Sequence, residues 1–226
     1  MVPLPLNNMS YILSKYEPLS KIDIPRKVGE KNRIISKGTV DIFKGKNLDK
    51  FVQLTVKGFN MYYYDFGIAY PSKSVNYPIF LYQVISAPKR VLVVVNYISY
   101  KKDAIENING FDNLLSLDSE YADMLIKTFE PQAFIVENLI PNAFNGLVRT
   151  TEIDKAYDRI FSLFKNWYEG MEMNNNLKHE DEHQYNQWLS NFKNKFYKED
   201  YGFTATKKFL GEKWAKEVFE NYIFNI

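Results

Sequence analysis

The residues of this chain most suggestive of chemistry are "HEDEH", His179 to His183, which match the zinc-protease pattern H-E-x-x-H. That chemistry needs both imidazoles on one face of a buried helix and a glutamate that activates a metal-bound water. The surroundings, "MNNNLKHEDEHQYNQW", are polar, and a helix is only beginning there. Asp181 and Glu182 make the segment an acidic turn suited to a helix N-terminus, so it reads as a solvated helix start and no metal ligand is assigned. These are the only two histidines, which argues against a Ser-His-Asp triad. The chain has no cysteine, which removes thiolate catalysis, disulfides and Cys-ligated metal, and fits a reducing compartment. Neither G-x-S-x-G nor a phosphate-binding glycine loop occurs. Acid–base work is left to carboxylates, tyrosines and lysines.

A second feature is chemical in a different way. "YPIFLYQVISAPKRVLVVVNYISY", Tyr77 to Tyr100, reads as two apolar strands about a short Pro-containing connection. Each carries one amide, Gln83 and Asn96. A buried amide without a partner costs about 1–3 kcal/mol, so each must satisfy backbone groups or meet a ligand. A turn centred on Pro88 would direct the two amides to opposite faces of the sheet.

The elements that must hold these residues follow from periodicity. Residues 1–32, broken by Pro3, Pro5, Pro18 and Pro25, read as a loosely ordered N-terminal arm. Strand-like runs cover 33–43, 50–59, 62–71, 77–86, 90–100, 132–140 and 145–149, interrupted by a helix over 114–129. After Arg149 the pattern turns helical. Ile153, Ala156, Tyr157, Ile160, Phe161, Phe164 and Trp167 share one face of a helix, with Thr151 and Asp154 as a capping box and Gly170 as its C-terminal cap. Further helices are predicted over 183–196 and 204–222. Strands first and helices last predict an α+β fold, a mostly antiparallel sheet covered by helices, in one domain over 1–226.

Net charge is only +2, which implies no wholesale nucleic-acid binding, and no apolar run approaches the roughly 18 residues of a membrane span. The start, "MVPLPLNNMSYILSKYEP", does not read as a signal peptide. A cytoplasmic monomer is expected. The aromatic share, 16%, is high enough to line a pocket for a flat conjugated ligand as well as fill a core.

Three segments, in order, resemble the superfamily of ferredoxin-dependent bilin reductases and red chlorophyll catabolite reductases. In "YPIFLYQVISAPKRVLVVVNYISYKKD", Pro78, Phe80, Leu81, Gln83, Ile85 and Pro88 follow the spacing of the chlorophyll-catabolite branch. The bilin reductases are similar there, with Pro-x-Phe-Gly-x-Asp and then an apolar strand ending in Asp. "FNGLVRTTEIDKAYDRIF" is similar to their strand ending in Phe-x-Arg before a long helix. "EDYGFTATKKFLGEKWAKEVFENYIF" is similar to their closing Phe-Gly-Glu-x-Trp-Ala segment. Together the three cover most of residues 60–226.

The resemblance implies an α/β/α sandwich in which the sheet and C-terminal helices grip a linear tetrapyrrole, with no flavin or metal bound. Reduced ferredoxin supplies single electrons and the protein supplies protons. Gln83 falls where bilin reductases have an aspartate and the chlorophyll branch a glutamate, and Asn96 falls at the Asp ending the next strand. An amide can orient a lactam or pyrrole but cannot deliver a proton. The resemblance therefore implies Asp200 as the catalytic acid, Gln83 as an amide that orients the pigment, and Arg149 and Asn96 as substrate-binding positions. With the turn on Pro88, only Gln83 would face the pigment. Phe66 occupies the position of a histidine in the phycocyanobilin-forming relatives, so that relay is missing. Lys193, Lys195, Lys198, Lys207, Lys208, Lys213 and Lys216 would offer an acidic ferredoxin a docking patch. Biliverdin is the expected substrate. The alternatives are a chlorophyll catabolite, a bilin-binding protein without turnover and, last, the zinc protease.

Overall fold

The computed structural model describes residues 1–73, 75–100, 121, 123–129, 144–174 and 181–225. In chain order the elements are α1 (Met9–Leu13), β1 (Leu19–Ile22), α2 (Arg26–Gly29), β2 (Glu30–Arg33), β3 (Ser36–Gly45), β4 (Leu48–Gly58), β5 (Tyr62–Pro71), β6 (Ile79–Ala87), β7 (Arg90–Ile98), β8 (Leu125–Thr128) and β9 (Phe144–Val148). Four helices follow: α3 (Ile153–Met173), α4 (Glu182–Glu199), α5 (Tyr201–Leu210) and α6 (Glu212–Val218), the last running into a π-turn over Phe219–Ile223. Among the described residues the nine strands join one sheet in the order β1-β3-β4-β5-β6-β7-β9-β8, with β2 also on β3, and each of these pairings is antiparallel.

Side chains alternate across this sheet, and both faces are buried. On β6, Phe80, Tyr82 and Val84 pack with Trp167, Phe164 and Ile160 of α3. Ile79, Leu81 and Ile85 face the other way, toward Leu189, Phe192, Phe196, Phe203 and Trp214 of α4 to α6. A strand covered on both sides needs apolar residues at every position, which is why β5 to β7 lack a polar face. The result is the expected α/β/α sandwich.

Several local expectations are corrected. The N-terminal arm is tied down: β1 pairs with β3, and Met9 and Leu13 of α1 are fully buried despite the flanking prolines. Helix α3 starts from a 3₁₀ turn at Thr150–Glu152, and no side chain caps it. Asp154 instead accepts from the Leu6 amide at 2.7 Å, fastening the arm to the helix. Gly170 lies inside α3, where a Cβ would stand 2.4 Å from the Tyr77 hydroxyl; close packing, not termination, places glycine there. The single helix expected over 204–222 is broken at Gly211, whose φ of 94° suits a residue without a side chain. Leu125–Thr128, expected to end a helix, is an edge strand on β9. The rest of that segment and the 132–140 strand lie outside the described residues.

The α3 face of the sheet conceals a fully buried carboxylate. Asp65 Oδ1 accepts from Tyr82 Oη at 2.8 Å and Gln53 Nε2 at 2.5 Å, and Oδ2 from Tyr157 Oη at 2.6 Å and Tyr63 Oη at 3.3 Å. Burial pushes its pKa up, while the four donors pull it back down. Asp65→Ala strands the Tyr82 hydroxyl in a dry core, while Gln53 keeps Thr55 Oγ1 at 2.6 Å and the Tyr63 and Tyr157 hydroxyls keep each other at 3.3 Å. A buried donor left unsatisfied costs about 1–3 kcal/mol, and denaturant unfolding should show a loss of that size.

Candidate active site

Gln83 and Asp200, separated by 117 residues, meet in the α4–α6 layer: Gln83 Nε2 donates to Asp200 Oδ2 at 2.8 Å. Gln83 sits mid-strand on β6, opposite Phe66 of β5 and Val94 of β7. Asp200 is the hinge between α4 and α5. Its extended backbone (φ −73°, ψ 128°) ends one helix and starts the next, and its Oδ1 accepts from the Phe203 amide at 3.0 Å. The carboxylate is thus an N-cap that also reaches the sheet.

Its environment sets its acidity. Asp200 is only 2% exposed, and burial raises its pKa from 3.8 to about 6, even though the Gln83 amide and the Phe203 and Gly202 backbone favour the charged form. Among the described residues no cation acts to lower it, so a proton is the available neutraliser. A group poised near neutrality is what proton delivery requires. Asp65 is equally buried but is saturated by four donors on the opposite face of the sheet.

Tyr64 is packed close to Asp200. Its hydroxyl is buried without a hydrogen-bond partner. A Cβ on Gly202 would lie 1.9 Å from that hydroxyl and 2.8 Å from Asp200 Oδ1, so both groups crowd the same point. Glycine at 202 is what lets the tyrosine rise to the carboxylate. Desolvation and the neighbouring Asp200 both push the Tyr64 pKa up, so it stays a neutral hydroxyl. Phe66, Phe196, Phe203 and Phe219 surround the group with aromatic rings.

Asn96 contradicts the expected geometry. The β6–β7 hairpin closes with Ala87 opposite Arg90, a two-residue Pro88-Lys89 turn, and Leu81 pairs with Asn96. Paired residues share a face, so Asn96 lies on the same side as Gln83. Moving the turn centre by half a residue reverses the parity. Asn96 Oδ1 accepts from Asn145 Nδ2 of β9 at 3.4 Å, leaving Asn96 Nδ2 and Asn145 Oδ1 buried and unpaired. Asn145 escaped the sequence reading. Its only signal was a polar residue at the start of a short strand.

Arg149 is exposed, directly after β9, at the sheet end where the β6–β7 turn lies. It is not brought together with Gln83 and Asp200. In "HEDEH", Asp181 caps α4 by accepting from the Gln184 amide at 3.0 Å and His183 is exposed, as a solvated helix start requires. His179 lies outside the described residues. Of the lysine cluster, Lys198, Lys208 and Lys213 are exposed, Lys216 pairs with Glu212 at 2.9 Å, and Lys207 lies over the Phe203 ring.

No protein-family model matches the chain, and no curated protein matches it. Among solved structures it is similar to selenomethionine-labelled phytochromobilin synthase from tomato, crystallised in complex with biliverdin. The TM-score is 0.74 at 16% identity, over 96% of this chain and 81% of that one. The likeness read from three short segments therefore holds at the level of the whole fold. Among the described residues no helix is long and apolar enough to cross a membrane.

Proposed function

We propose that this chain is an oxidoreductase that reduces an open-chain tetrapyrrole, biliverdin first, with single electrons from reduced ferredoxin and protons from Asp200. The observation that carries this reading is the buried Gln83–Asp200 pair, set between the sheet and the C-terminal helices of a fold shared with a biliverdin-bound synthase. Each electron makes the conjugated pigment more basic, and a proton must follow. Two electrons and two protons saturate one double bond. Asp200 gives the proton and is recharged from solvent. Gln83 fixes the carboxyl and orients a pyrrole or lactam edge, and Tyr64 offers a further neutral hydroxyl donor. No metal or flavin has a part in this scheme. The exposed Lys198, Lys208 and Lys213 favour an acidic electron donor.

Biliverdin added to the protein should give a saturable shift of its long-wavelength absorption band at about one pigment per chain. Reduced ferredoxin, added without oxygen, should then convert that band to a product separable by chromatography. No spectral shift at micromolar protein would end the tetrapyrrole reading. A shift without conversion would favour a bilin-binding protein, consistent with an amide at position 83 that holds no transferable proton. Conversion of a chlorophyll catabolite but not of biliverdin would favour the sibling reaction.

A further inference from the structure

At the end of β5 that lies away from the β6–β7 turn, a cavity of about 230 Å³ opens between the sheet and α4. Tyr70, Pro71 and Lys73 form one wall, and Tyr185, Ser190 and Lys193 belong to the other. We propose that this cavity is a carboxylate subsite, built to take one acid arm of the substrate.

Two observations converge on an anion. The Tyr70 side chain lines the cavity, is 1% exposed, and its hydroxyl has no hydrogen-bond partner. A buried hydroxyl left unpaired is costly, and a ligand oxygen would relieve it. Cations also gather here. Lys193, half-buried, has its pKa lowered by burial and by Lys73. Lys50 Nζ is buried close by, 5.4 Å from the centre of the Tyr70 ring, and its pKa is held down to about 8 by burial and by Lys193, Lys44 and Lys73. Lys50 itself is occupied, donating to the Tyr222 carbonyl at 2.7 Å and to the Asn225 carbonyl. Among the described residues Asp49 is the one carboxylate acting on Lys50, against three other ammonium groups, so their charges there sum to a net positive. An anion would satisfy the hydroxyl and the mutual repulsion together.

Size and position define the ligand. A space of 230 Å³ holds a short carboxylate chain, not a whole tetrapyrrole. Gln83 pairs with Phe66, and Tyr70 lies four residues further along β5 on the same face, about 13 Å away at strand spacing. That is within reach of an extended tetrapyrrole whose reacting ring sits at Asp200. Arg149 lies a comparable distance toward the opposite sheet end, but it is exposed, where a charge pair is worth little. The two acid arms of biliverdin are neighbours, so they use one end of the site, and the half-buried lysine corner is the stronger. Assigning the carboxylate to the pigment rests on the proposed function; the anion chemistry of the cavity does not.

The test compares biliverdin with its dimethyl ester on the wild type and on a Tyr70→Phe/Lys193→Gln double variant. Both substitutions keep the side-chain bulk. The wild type should bind the diacid at least about tenfold more tightly than the diester, and the double variant should lose most of that preference. A preference that persists in the variant, or that is missing from the wild type, overturns the pigment-arm assignment. Glutarate supplies a pigment-free arm. It should raise the melting temperature of the wild type and not of the variant. If glutarate does so while the diacid preference fails, the cavity serves a free carboxylate instead of the pigment. If glutarate acts on both proteins equally or on neither, and the diacid preference also fails, there is no subsite. Failure of both pigments to bind, with glutarate still selective, would remove the tetrapyrrole reading and leave the subsite standing.

Discussion

Asp200→Asn is expected to slow pigment reduction by about 10²–10⁴-fold, the usual worth of a positioned acid, while pigment binding is largely kept and the folded protein becomes more stable. Asparagine still caps α5 and still accepts a hydrogen bond, but it holds no proton to give. The stability gain follows from linkage. A carboxyl whose pKa rises from 3.8 unfolded to about 6 folded binds more proton in the folded state. Its contribution is full below about pH 4 and is lost as pH climbs through 6. Near pH 7.5 that loss approaches about 3 kcal/mol, offset by about 1 kcal/mol for the one accepted bond that asparagine forfeits. The variant should therefore gain about 2 kcal/mol at pH 7.5 and lose up to about 1 kcal/mol below pH 4, where only the forfeited bond counts. Denaturant melts at the two pH values, beside an anaerobic ferredoxin-coupled assay, measure both effects. Unchanged turnover would remove Asp200 from the mechanism. A loss of stability at pH 7.5 would mean that its folded pKa is not raised.

The opposed signs matter, because a purely structural cap would lose stability and leave chemistry alone. On this proposal the residue that serves the reaction weakens the fold at working pH, a trade common where a titratable group is desolvated for function.

How much of this was legible in the sequence depends on the range of the interaction. The strands and the α3 face were readable because their period of 2 or 3.6 is a local property of the chain. The Gln83–Asp200 contact was not legible, since 117 residues separate the partners; the resemblance gave each a role at the pigment without pairing them. The side of the sheet taken by Asn96 depended on whether one or two residues form the turn at Pro88, a difference that periodicity does not register but that inverts the face. The arm was misjudged because its prolines are visible in sequence, whereas the burial of Met9 and Leu13 against distant strands is not. Asp65 was missed because one acid inside "YYYDFGIAYP" has no local signal; its four partners come from β4, β5, β6 and α3. Tyr70 and Lys193 likewise acquire a joint meaning only when α4 is laid over the end of β5.

Gln83→Glu puts a second carboxyl where the wild-type amide now donates, 2.8 Å from Asp200 Oδ2, with almost no change in volume. Two carboxyls at that distance cannot both ionise easily, so they share a proton and titrate as a pair in two macroscopic steps. Repulsion between two such charges is about 4 kcal/mol at the effective dielectric of partly buried sites, or roughly three pKa units. The upper step should therefore lie well above the value of about 6 that Asp200 has alone. If proton delivery from this pair limits reduction, the alkaline limb of the rate profile should move up by about two to three pH units. At pH 8 the variant should then outrun the wild type by at least about tenfold, and a changed position of protonation would appear as a product with a different spectrum. Stability provides the control. Because the pair's pKa is raised further, the variant should match the wild type only below about pH 4, where the carboxyls are protonated folded and unfolded alike, and fall progressively behind it as pH rises from there toward the upper folded pKa. A folded, pigment-binding Gln83→Glu protein whose alkaline limb stays where the wild type has it would show that the proton comes from elsewhere.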